Sequence, residues 1–125
     1  MNRKGQAVVE LALVIPILLL VLLGIMEFAI IFSNQLIIEN ASRDSARYAV
    51  LGASDNEIQT YAAQLTKMVR GTAPLVTITP SVGSRTKGVA VTVSISYNHI
   101  LMTPIISNIL GSGIQLSAST TMRME

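Results

Sequence analysis

Residues 11–26 are sixteen consecutive positions without a charge, and the apolar run resumes over residues 28–32 after the single Glu27. Apolar side chains fall on every side of a helix drawn through this stretch. At about 1.5 Å per residue, residues 11–32 would measure about 33 Å as a helix, enough to cross a hydrocarbon layer of about 30 Å. The pattern therefore predicts one membrane-spanning helix. Pro16 removes one backbone donor and is expected to bend it. Gly24 offers a place where another backbone can come close.

Past the apolar run the period stays helical but the composition changes. Ile37, Ile38, Ala41, Ser45, Ala49 and Val50 recur at three- and four-residue spacing among polar neighbours. Glu39 and Arg43 stand four apart, Asp44 and Arg47 three apart, both suited to ion pairing along a helix. The reading is one long helix over residues 6–51, closed by Gly52. Ser54 followed by Glu57 fits a capping box. It would open a second helix that runs to about Val69, buries Ile58, Tyr61, Ala62, Leu65 and Met68 or Val69, and is stopped by Gly71.

After Pro74 the period shortens toward two. Val76 and Ile78 mark a first strand, and residues 81–88 a polar turn. Val89, Val91, Val93, Ile95 and Tyr97 line one side of a second strand, with Ala90, Thr92, Ser94, Ser96 and Asn98 opposite. Ile114, Leu116, Ala118, Thr120 and Met122 repeat the alternation in a third. One apolar and one polar side mark an antiparallel sheet with a wet face, its dry face covered by the helices. The apolar stretch 102–110 reads as a short helix after Pro104 or as a loop folded on the domain. The expected fold class is thus α+β: a long N-terminal transmembrane helix continuing into a small domain with a second helix and a three-stranded antiparallel sheet. By segment, residues 1–5 are a short basic leader, 6–51 the long helix and 52–125 a small exported domain.

Composition narrows the function. The chain has 125 residues, half of them apolar, no cysteine and a net charge of +2. Arg3 and Lys4 account for the surplus; the positive-inside rule then places the N-terminus in the cytoplasm and the domain on the other side. No dense basic stripe or aromatic platform appears, which argues against a nucleic-acid partner. A cleaved secretory signal fits poorly, because its apolar core would be shorter and would end at small residues. An uncleaved signal anchor fits the apolar run but gives Glu10 no purpose.

Glu10 is the candidate of most interest. A carboxylate at the head of a membrane segment is costly unless something answers it. Backbone amides or the amino terminus of a neighbouring subunit would serve. Glu27, seventeen residues on, either marks the opposite boundary or reaches an interface or partner. Arg43 and Arg47 share a helix face, either as solvated surface or as intersubunit ion-pairing groups. No catalytic constellation is present. His99 is the only histidine, no nucleophile elbow surrounds any serine, and residues 83–88 lack the phosphate-loop pattern. No enzyme activity, metal or cofactor is expected.

The stretch RKGQAVVELALVIPILLLVLLGIMEFAIIF, continued by NQLIIENASRDSARYAV, resembles the TadE-like family of pseudopilins. Where the family carries an Ala-Arg-x-x-Ala-Arg run, this chain has Ser42-Arg43-Asp44-Ser45-Ala46-Arg47. The end, LSASTTMRME, resembles the family's terminal strand. The resemblance implies a minor pilin-like subunit for assembly of a tight-adherence, type IV-related pilus. It also implies cleavage between Gly5 and Gln6 by a prepilin peptidase, with Glu10 as the carboxylate tied to processing and assembly. The implied partners are other pilins or pseudopilins, the inner-membrane assembly platform and the lipid bilayer. The implied location is the bacterial inner membrane, single-pass. The alternative is a signal-anchored envelope protein with an exported binding domain that never polymerises.

Overall fold

The computed structural model describes residues 2–125. One helix, α1 (Arg3–Val50), dominates it and runs unbroken through Pro16. A single proline deletes one bond from a ladder whose remaining bonds hold on both sides. Two further α-helices, α2 (Asp55–Leu65) and α3 (Pro104–Leu110), three strands, β1 (Leu75–Thr79), β2 (Ala90–Ile100) and β3 (Gly113–Arg123), and one 3-10 turn (Val82–Ser84) follow it. The sheet has the order β1-β2-β3 and is antiparallel throughout. This is the α+β arrangement that the sequence pattern predicts.

The two halves of α1 meet different surroundings. Every described residue up to Leu23 is exposed, and the apolar window carries no buried position. From Glu27 onward one side is covered: Asn34, Ile38, Ala41, Ser42, Ser45, Ala46 and Ala49 are buried. These are mostly small residues, so the sheet lies close against the helix. The dry face of the sheet supplies Val91, Val93, Ile95, Tyr97, Leu116 and Ala118, and α2 adds Ile58 and Ala62. The core of the head is therefore built on the second half of α1 rather than within residues 52–125 alone. Burial of this apolar area drives the assembly, at about 25 cal/mol per Å² removed from water.

Local signals set the element boundaries. Ser54 caps α2 through the reciprocal bonds of a capping box, its amide donating to Glu57 Oε2 at 2.8 Å. The Ser54 amide and hydroxyl hold the Glu57 carboxyl below the usual glutamate value. The helix ends at Leu65, earlier than the apolar spacing suggests. Thr66 turns its hydroxyl back onto the Ala62 carbonyl at 2.8 Å, which competes with continuing the helix. Gly71 is needed where it stands. Its φ is +136°, and a Cβ there would come within 2.8 Å of the Tyr97 hydroxyl oxygen.

The polar turn between β1 and β2 is tied down rather than freely solvated. The Arg85 side chain is 2% exposed; its guanidinium donates to the Pro80 carbonyl at 2.9 Å, the Ala53 carbonyl at 3.0 Å and the Asp55 carboxylate. One cation thereby joins the β1–β2 turn to the α1–α2 connection. The wet face of the sheet carries cross-strand hydroxyl pairs, Thr92 with Thr121 at 2.8 Å and Ser94 with Ser119 at 3.0 Å.

Candidate functional site

Two carboxylates sit on α1 within or beside its apolar stretch, and they have opposite fates. Glu10 is exposed, and no ion pair to it forms among the described residues. Gly5 and Gln6 lie in the first turn of the helix, where their amides donate to the Asn2 carbonyl at 2.8 and 3.1 Å. Gly5, Gln6 and Glu10 thus share one exposed helical terminus. Glu10 stands one turn above Gln6.

Glu27 is 4% exposed and enclosed by its own chain. His99, from the dry face of β2, places Nε2 at 3.1 Å from Glu27 Oε1. The Met102 amide donates to both carboxylate oxygens at 3.2 Å. The Thr103 amide and hydroxyl donate to Oε2 at 3.2 and 3.0 Å. On the far side of the imidazole, Nδ1 faces the Asn34 amide nitrogen and the Tyr97 hydroxyl, both at 3.3 Å. Two donors at Nδ1 favour the tautomer that carries its proton on Nε2 and gives it to Glu27. Burial raises the Tyr97 phenol above its ordinary value.

Glu27, expected either to mark the membrane boundary or to reach an interface or partner, has its partners within its own chain. A carboxylate facing the head would be desolvated by it, and the head supplies backbone and hydroxyl donors in return. Every acceptor position in reach is used, so the group holds the β2–α3 connection against α1. The hydroxyl of Thr103 is committed to the same carboxylate. Among the described residues no group of three histidine, aspartate or glutamate side chains could hold a metal ion.

Sequence reasoning missed His99, Asn34, Tyr97 and Thr103 as partners of Glu27. One signal was available. His99 has the same strand parity as Val91, Val93, Ile95 and Tyr97, which places it on the dry face. A buried imidazole needs a polar partner.

Arg43 and Arg47 are both exposed on α1. The spacings suggested pairs with Glu39 and Asp44. Neither pair forms: Glu39 instead accepts from the Gln35 amide at 3.1 Å, which also donates to the Ser117 carbonyl at 3.1 Å. Arg43 lines a shallow polar groove with Glu39, Ser42 and residues 117–120 of β3. Tyr48 packs on Tyr61 with ring centroids 5.1 Å apart, on the exposed flank where α2 meets α1.

Residues 5–47 match the family described as TadE-like protein. The match covers the exposed apolar half of α1 and most of its buried half, and stops before α2 and the sheet. The resemblance first seen in the sequence is thus borne out over this segment. No curated protein and no solved structure matches the chain.

Proposed function

We propose, from the TadE-like character of residues 5–47, that this chain is a minor pilin-like subunit in the assembly of a tight-adherence pilus. The observation that carries the reading is the contrast between its two membrane-proximal carboxylates. Glu27 is fully answered within the chain, whereas Glu10 is left exposed in an apolar surface. A charge in lipid attracts an opposite charge far more strongly than it would in water. The partner this reading supplies is the amino group at Gln6 of an adjacent subunit, freed by a prepilin peptidase that cuts after Gly5.

Cleavage requires the first turn of α1 to open, because the Gly5–Gln6 bond lies within it. Glycine weakens a helix interior by about 1 kcal/mol relative to alanine, which favours that opening. The orientation that follows from Arg3 and Lys4 keeps the leader cytoplasmic, within reach of an inner-membrane peptidase and assembly platform. The head then projects from the other side of the membrane. Arg43 and Arg47, without ion-pair partners among the described residues, are cations available to acidic groups on neighbouring pilins. The role is structural: the chain is a substrate of the peptidase and catalyses nothing.

Sequencing the N-terminus of the chain recovered from membranes tests maturation, and co-purification from solubilised membranes tests assembly. A mature end at Gln6 with co-purifying pilins supports the reading. Retention of Met1 in a working assembly rules out processing. If Glu10→Ala leaves assembly unchanged, the chain is an anchored envelope protein that does not polymerise.

A further inference from the structure

The helix α3 itself adds no residue to the head's core. None of the residues of α3 is buried. Ile105 is 49% exposed, Ile109 76% and Leu110 54%, and the approach to the helix exposes Ile100 and Met102. No Asp, Glu, Lys or Arg occurs between Lys87 and Arg123. This exposed apolar surface lies at a defined height on α1. The bonds from Met102 and Thr103 fix the start of α3 beside Glu27. Ile106 Cδ1 lies 4.0 Å from where a Cβ on Gly24 would stand. Leu23, Met26 and Ile30 form an apolar groove with Met102 and Pro104 at the same level.

That level lies at the edge of the bilayer or inside it. Counted upward from Lys4, the last basic residue of the leader, about 20 helical residues cover about 30 Å and end near Gly24; counted over the apolar run 11–32, the edge stands about two turns higher. The sheet's one charged side chain, Arg123, lies at the end away from this edge, and Arg70 stands toward the head, beside Ile30 and Asn34. Ile100 and its partner Gly113 form one end of the β2–β3 ladder, and Ala90 and Arg123 form the other.

We infer that α3, with Ile100 and Met102, is a second membrane contact: an apolar foot seated in the lipid leaflet that faces the head. Its occupant is lipid because its exposed surface continues the lipid-facing surface of α1 at Leu23 and Met26 without a charged break. A short uncharged helix lying in the interface buries apolar area in the headgroup–acyl boundary. The Glu27–His99–Thr103 cluster then sets the height of the head above the membrane. The inference rests on α1 spanning the bilayer and not on the assembly role.

The chain has no cysteine, so single-cysteine variants Ile109→Cys, Leu110→Cys, Thr60→Cys and Leu18→Cys can each carry one environment-sensitive fluorophore. The full chain is reconstituted in phosphatidylcholine vesicles, and quenching by nitroxide-labelled lipid is measured. Labels at 109 and 110 are expected to be quenched several-fold more than the label at 60, at every protein-to-lipid ratio. Equal quenching at 109, 110 and 60, with strong quenching at 18, overturns the foot and leaves the span intact. Loss of lipid quenching at 109 and 110 as the protein density rises assigns the surface to a second copy and also overturns it. No quenching at 18 sinks the spanning helix and the foot together.

Discussion

The two halves of α1 have the same backbone and follow different rules. Over residues 11–26 the side chains are almost all apolar and exposed; over residues 27–50 the buried positions are mainly alanine, serine and asparagine. The more hydrophobic half makes no core, and the less hydrophobic half supplies its helix side through Ile38, Ala41, Ala46 and Ala49. Hydrophobicity alone therefore does not report burial within a protein. In the first half it matches the solvent, which is lipid; in the second, small side chains let a sheet approach closely enough to exclude water. The carboxylates repeat the contrast. Glu27 is solvated by its own chain, whereas Glu10 has no neighbour among the described residues to do the same.

Replacing the buried carboxylate should give the largest effect. Glu27→Leu strips the acceptor from His99, Met102 and Thr103 together, and should cost the head about 3–5 kcal/mol, read as the denaturation midpoint of the detergent-solubilised chain. A change below about 1 kcal/mol would break the claim that this acid works inside the fold. Next, Gly71→Ala forces an L-residue to a φ of +136° against the Tyr97 ring and should cost about 2–3 kcal/mol by the same measurement. Ser54→Ala removes the cap of α2 and should cost about 1 kcal/mol.

A titration separates the halves by solvent. The folded Tyr97 phenol is raised by burial, so its contribution is complete below the unfolded value of about 10 and is lost as pH climbs through the folded value. Alkaline unfolding followed by circular dichroism should therefore melt the sheet while the helical signal of residues 3–26 persists. Loss of both signals together would deny the halves their independence. The smallest effect on stability should come from Glu10→Ala, within about 0.5 kcal/mol, because no contact in the head involves it.

Much of this fold was legible because its determinants are local. Strand parity from Val91 to Tyr97, the Ser54–Glu57 box and the Pro104 start of α3 each lie within a few residues of the element they define. The Glu27 cluster was not legible, since His99 stands 72 residues away and nothing between them specifies the meeting. Arg85 was read only as part of a polar turn because its partners, Ala53 and Asp55, come from a connection about thirty residues earlier. Of the expected assembly residues, Glu10, Arg43 and Arg47 are exposed and Glu27 is enclosed. Turn chemistry speaks for itself in a sequence, while a buried polar pair is visible only once the sheet is laid on the helix.

Because α1 crosses from the apolar stretch into the head without a linker, the head has no gimbal. Any lean of the rod in the bilayer is copied by everything packed on it. The upper 24 residues form an arm of about 36 Å, so a lean of about ten degrees would swing its tip by about 6 Å. A tug along the axis would likewise lift the whole head as a piston does, with no slack to take up first.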